Sequence, residues 1–168
     1  VVQVYPYRAG LLHGEVLRLG EGGQGVERMT FENDVLEGPL ETFDGEGRLA
    51  KRIPYRRGLV DGELQIYEEG RLQCRQMFAR GKQDGPTVIY DEAGGPCCEM
   101  NFSAGKKHGL SQYFNPKGRL VKKEHYQRDV LHGECAEFHE GGGVREQGKF
   151  ERGKKQGEWL TYHPNGKL

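Results

Sequence analysis

No stretch of this chain is apolar for more than a few residues. A helix crossing a bilayer needs about 20 such residues, so no helical span is encoded. Hydrophobic residues at 35% against 30% charged leave too little apolar mass for a deep globular core. Net charge is missing too: 25 Lys and Arg balance 25 Asp and Glu, which removes the basic footprint that binding to nucleic-acid phosphates requires. Serine is almost absent. Ser103 and Ser111 are the only two, and neither stands in a Gly-x-Ser-x-Gly nucleophile turn. The glycine-rich stretches Gly20–Gly25 and Gly141–Gly143 lack a closing Lys-Ser/Thr and a following helix, so they read as flexible hairpin tips and not as phosphate loops. With no converging nucleophile, base or carboxylate pair, the expectation is a protein that is not an enzyme and has no cofactor.

What the chain does have is a period. Glycine returns at Gly14, Gly38, Gly62, Gly85, Gly109, Gly133 and Gly157, at intervals of 24, 24, 23, 24, 24 and 24 residues. A fixed period in the twenties means one supersecondary unit copied and stacked. Seven positions before each anchor stands a ring: Tyr7, Phe31, Tyr55, Phe78, Phe102, Tyr126 and Phe150. Five positions after it stand Leu19, Phe43, Tyr67, Tyr90, Phe114, Phe138 and Tyr162. Four before it the chain has glycine, or Asp34 and Asp129; aspartate tolerates the left-handed region, so a positive φ is required there. The one short interval is explained by Glu68-Glu69-Gly70, a turn one residue shorter that leaves the strand register intact.

Two turns per period leave segments too short for stable helices and suited to strands. Each unit is expected to be a β-hairpin, and the whole an all-β single repeat domain over residues 1–168, an elongated and twisted antiparallel meander truncated at both ends. The period of two places Leu120 and Tyr126 on one face, so rings and aliphatics are expected to form one stripe with charged residues opposite. Stacked rings are expected to hold neighbouring repeats together.

Equivalent positions in successive hairpins lie two strands apart, roughly 9–10 Å. Cys74 and Cys98 are therefore too distant for a disulfide, and Cys74, Cys97, Cys98 and Cys135 are expected as free thiols filling small apolar spaces. The same spacing separates His108 from His132 and His139 from His163, which excludes a zinc site and leaves histidines bonded to backbone.

The segment Gly153-Lys-Lys-Gln-Gly157-Glu-Trp159-Leu-Thr-Tyr162-His-Pro-Asn-Gly166-Lys-Leu168 resembles the MORN-repeat variant, the unit of YwqK-like antitoxins, and the likeness runs through the whole chain. Gly81-Lys-Gln-Asp-Gly85 and Gly105-Lys-Lys-His-Gly109 repeat the same loop. Trp159 occupies a place filled elsewhere by Val16, Leu40, Leu64, Thr87, Ser111 and Cys135. The resemblance implies a bacterial, non-catalytic antitoxin or immunity protein that neutralises a toxic effector by stoichiometric binding. The alternative it implies is a scaffold that binds several proteins or anionic lipid.

Charge is unevenly placed. Residues 1–70 carry 8 Lys and Arg against 13 Asp and Glu, and residues 71–168 carry 17 against 12. An acidic end around Glu32, Asp34, Glu37, Glu41, Asp44 and Glu46 is expected to bind the partner, since a toxin acting on phospholipid or nucleic acid should carry a basic mouth. Lys106, Lys107, Lys122, Lys123, Lys154 and Lys155 form the basic end, to which anionic lipid could attach. For compartment, the missing initiator methionine favours a periplasmic protein whose export signal has been removed, whereas free thiols favour a reducing one.

Overall fold

A computed structural model describes residues 3–22 and 25–168; Gly23 and Gln24, within the expected tip Gly20–Gly25, lie outside the described residues. All regular elements are antiparallel strands, with no helix among the described residues. The chain forms two compact units, residues 1–82 and 83–168. In the first, Gly14–Leu19, Gly25–Glu32, Gly38–Phe43, Leu49–Arg56, Gly62–Glu68 and Arg71–Ala79 pair each with the next. In the second, the succession runs Lys82–Tyr90, Pro96–Ser103, Gly109–Phe114, Leu120–Gln127, Val130–Phe138, Val144–Glu151 and Lys154–Thr161. This is the β-hairpin repeat meander that the period predicts.

The turn four residues before each anchor has positive φ at both central residues, for example Arg57 at 52° with Gly58 at 75°. Asp34 and Asp129, where glycine is missing, hold 66° and 70°. Two consecutive positive φ values make the tight hairpin turn whose twist matches the flanking strands. They also aim the second N–H back at the previous hairpin: Asp34, Gly58 and Gly81 donate to the carbonyls of Leu12, Leu36 and Val60 at 2.9, 2.9 and 2.7 Å. Gly105, Asp129 and Gly153 do the same to Gln83, Lys107 and Leu131, at 2.7, 2.9 and 2.9 Å. The short period shows its cause as well. Glu69 and Gly70 take φ of 50° and 77°, a two-residue turn, and Tyr67 still meets Leu72 in register.

The facial pattern differs from the expectation. Tyr126 lies opposite Gly109, Leu120 lies opposite Phe114, and the register shifts between Tyr113 and Phe114. Val121 is the extra residue of a β-bulge, and one unpaired residue reverses the alternation of faces. Leu120 and Tyr126 therefore sit on opposite faces. The same shift recurs before Leu19, Phe43, Tyr67, Tyr90 and Phe138. Each unit thus has two ring stripes, one per face: the rings before the anchors lie opposite anchor glycines of the preceding repeats, and those after them lie opposite Leu49 and Leu72 in the first unit and Pro96, Leu120 and Val144 in the second.

The rings are not the most buried groups either. Val16, Thr87, Val88, Ser111, Cys135 and Ala136 are buried, whereas the stripe rings are half-buried, with Tyr7 exposed. These small side chains stand two and three places after an anchor, mid-strand. Trp159 packs edge-on to Phe150 with centroids 5.1 Å apart. It fits only because Gly148 beneath it has no Cβ, which would lie 2.5 Å from the indole.

The anchor glycines carry two demands at once. Gly62 has φ +118°, and a Cβ there would come within 3.3 Å of Pro54. Gly62→Ala is therefore expected to lower stability by about 1–3 kcal/mol in urea denaturation. Gly45→Ala, at a loop tip with open space around it, should change it by less than about 0.5 kcal/mol.

Candidate interaction surface

The six acidic residues of the expected partner surface fall in three different places. Asp34 and Glu37 lie on the row of tight turns and serve the backbone. Asp34 Oδ1 accepts the Leu12 N–H at 2.7 Å, and Glu37 Oε2 accepts the Arg57 N–H at 2.7 Å. They belong to a rule that runs along both units. Where the residue before an anchor is acidic, its carboxylate caps the next turn, as Asp61 does for Arg80 N–H at 3.2 Å and Asp84 for Ala104 N–H at 3.0 Å. Where that residue is His13 or His108, the next turn supplies an aspartate that reaches back, Asp34 to Leu12 and Asp129 to Lys107, the latter at 2.8 Å. Glycine stands at the turn in the first case and aspartate in the second, so each of these five junctions has one carboxylate. His132 and Gly153 leave their junction with the backbone bond alone.

Glu41 sits mid-strand at 7% exposure, between Arg28 and Arg52 on the two adjacent strands. Arg28 Nε donates to its Oε2 at 2.9 Å and Arg52 Nε stands 3.4 Å from Oε1. Two guanidiniums compensate the desolvation of one buried carboxylate. The row continues through Gln65 to Arg75, and Arg28 also lies over the Phe43 ring at 5.9 Å.

Asp44 and Glu46 occupy the other kind of turn. Asp44 Oδ1 accepts from the Glu46 and Arg48 N–H groups at 3.0 and 2.9 Å, and Arg48 Nε donates to Oδ2 at 2.8 Å. Arg48 also pairs with Glu46 at 2.9 Å. Asn115 caps the equivalent turn without an ion pair. Glu32 is exposed at the end of its strand.

The arginines divide by place. Strand-borne Arg18, Arg28, Arg52, Arg75 and Arg145 each meet a carboxylate. At the tight turns, Arg8, Arg56, Arg57, Arg80, Arg128 and Arg152 meet none within 4.0 Å among the described residues. The acids of that edge are already turned toward backbone N–H groups. In the second unit, Lys107 lies over the Tyr126 ring at 5.2 Å and Lys155 over Trp159 at 3.6 Å. Lys122 pairs with buried Glu124 at 2.6 Å, which also accepts the Tyr126 hydroxyl at 2.9 Å. Burial first, and this carboxylate second, push the Tyr126 phenol well above its usual range.

The four cysteines are free, Cys98 and Cys135 buried and Cys74 and Cys97 half-buried; desolvation raises the thiol pKa of Cys98. His125 and His139 donate to the carbonyls of Glu134 and Tyr162 at 2.9 and 2.8 Å. No cluster of three or more His, Cys, Asp or Glu among the described residues is arranged to hold a metal ion. The exchange of acid and histidine between junctions was the signal that sequence reading missed. It is written at positions one before an anchor and four before the next, twenty or so residues apart, and has meaning only once adjacent hairpins are superposed.

Asp44 gives a pH-dependent prediction. The Arg48 side chain, then its N–H, hold this carboxyl below its usual pKa. Its contribution is therefore present above the unfolded value of about 3.9 and is lost as pH falls through the lower folded value. Asp44→Asn keeps the turn as Asn115 does and removes the ion pair, so wild type should exceed the variant in thermal stability near neutrality and lose that advantage in acid. Asp61→Ala should leave the Arg80 N–H uncapped and cost about 1 kcal/mol in urea denaturation.

Among proteins of known kind, residues 155–168 match the family model described as MORN repeat variant. No curated protein matches the chain. Of solved structures, it is similar to a mutant of S. aureus TarM in complex with Fondaparinux, alpha-GlcNAc-glycerol and UDP, at 14% identity and TM-score 0.39 over 56% of this chain and 19% of that one. A second TarM crystal structure shows 16% identity and TM-score 0.38 over 59% and 19%. The chain thus spans under a fifth of the length of either, and likenesses this slight carry no argument. The match to the last hairpin, in a chain whose other six periods repeat its turn and anchor glycine and, but for Leu19 in the first, its two rings, supports the MORN repeat family.

Proposed function

We propose that this chain is a non-catalytic protein-binding module that acts as an antitoxin or immunity protein, covering a toxic effector in stoichiometric complex. One observation carries the reading: the row Arg28, Glu41, Arg52, Gln65 and Arg75 is locked by cross-strand register and ion pairs, yet its arginine side chains remain 47%, 51% and 47% exposed. Side chains that are ordered before docking lose little entropy on binding, so affinity comes at small conformational cost. Of the acidic set, Glu32 and Glu46, the latter 72% exposed beside Arg48, are the exposed members whose carboxylates serve no backbone N–H among the described residues, and acidic contacts with a basic effector mouth fall to them. Asp34, Glu37, Glu41 and Asp44 are held by their own neighbours. The scaffold reading, attachment to anionic lipid through the second unit, is weaker because three of the six lysines named for it, Lys107, Lys122 and Lys155, are already engaged.

The test is co-expression with the product of the adjacent reading frame. Relief of toxicity and a 1:1 complex by light scattering are expected, with Glu32→Lys plus Glu46→Lys weakening affinity about tenfold, or about 1.4 kcal/mol. Persistent toxicity with no complex overturns the proposal.

A further inference from the structure

The tight-turn edge of the first unit holds a groove of about 360 Å3 lined by Arg56, Arg57, Leu59, Asp61 and Arg80. Two successive turns build it, the first tip bringing Arg56 and Arg57 and the second Arg80. Leu59 lies across the second turn, its Cδ2 3.7 Å from where a Gly81 Cβ would stand, and remains 50% exposed. Nothing compels arginine here. The equivalent places in other repeats hold Gln127 before the turn, and Asn33, Ala104 or Ala9 at its first residue, with the same φ near 51°. Three arginines line one concavity, and among the described residues none of them forms an ion pair with a carboxylate within 4.0 Å. The two acids nearby are occupied: Asp61 by the Arg80 N–H at 3.2 Å and Glu37 by the Arg57 N–H at 2.7 Å.

We infer that this groove docks an acidic segment of a protein partner, with carboxylates paired to the Arg56, Arg57 and Arg80 forks and an aliphatic side chain seated on Leu59. The guanidinium fork matches carboxylate geometry bidentately. An extended polyanion is disfavoured, because residues 1–82 carry 12 Lys and Arg against 13 Asp and Glu and so offer no wide positive field. A short segment needs only the local charge, and Leu59 gives it an apolar contact that a phosphate backbone cannot use. The inference deepens the protein-binding reading above and rests on it for the partner's identity.

The test uses the full chain and a fluorescein-labelled peptide alternating glutamate and leucine, read by anisotropy, beside a lysine–leucine peptide, inorganic phosphate, a single-stranded oligonucleotide and phosphatidylserine vesicles. The variant Arg56→Gln, Arg57→Asn, Arg80→Asn borrows residues that other repeats carry at these places, so it retains the fold, which circular dichroism verifies. Binding of the acidic peptide is expected to fall at least tenfold in this variant and to stay unchanged in Arg128→Gln plus Arg152→Asn, with the lysine peptide unbound by either. Equal binding of the acidic peptide by wild type and the groove variant overturns the inference. So does groove-dependent binding of vesicles or oligonucleotide in preference to peptide. A complex with the neighbouring gene product that survives the groove variant removes this site and leaves the function standing; groove-dependent peptide binding without any such complex does the reverse.

Discussion

The structure depends on a hydrogen bond that leaves one hairpin and lands on the hairpin before it. Six times the second residue of a tight turn donates its N–H to a carbonyl of the preceding repeat, at 2.7–2.9 Å. Only a positive φ aims that N–H correctly, which accounts for glycine or aspartate at every such turn. The bond sets the register between repeats, and the register in turn places arginine beside glutamate and ring beside glycine. Apolar burial cannot do that work alone, since no ring of the stripes is fully buried and the buried set consists mostly of small side chains.

Charge follows from the same geometry. A turn that directs one N–H at its neighbour leaves another to be satisfied, and at five of the six junctions a carboxylate from one side or the other accepts it. Asp34, Glu37, Asp61, Asp84 and Asp129 are turned to backbone N–H groups in this way, while the tight-turn arginines of each unit meet no carboxylate within 4.0 Å among the described residues. Counting residues along the chain gives an acidic first end; the structure places Arg56, Arg57 and Arg80 together at the tight turns of that same unit.

The fold was legible in the sequence to the level of hairpins, turns and the shortened tip at Glu69 and Gly70, because turn chemistry is local and repeats seven times. The assignment of faces was not. Val121 and its counterparts are ordinary strand residues, and a bulge leaves no mark in composition, yet it moves Leu120 away from the face of Tyr126. The acidic patch was legible as charge and illegible as surface. The partners of Asp34 and Glu37 lie about twenty residues away, and capping a backbone N–H demands no particular residue type there.

The central claim is tested most directly by native-state hydrogen exchange at Asp34, Gly58, Gly81, Gly105, Asp129 and Gly153. These amides lie at exposed turns, yet the account predicts protection comparable to mid-strand amides and far above that of loop-tip Gly45 and Gly141. Exchange as fast as at those tips would contradict it, and the register between repeats would then need another origin.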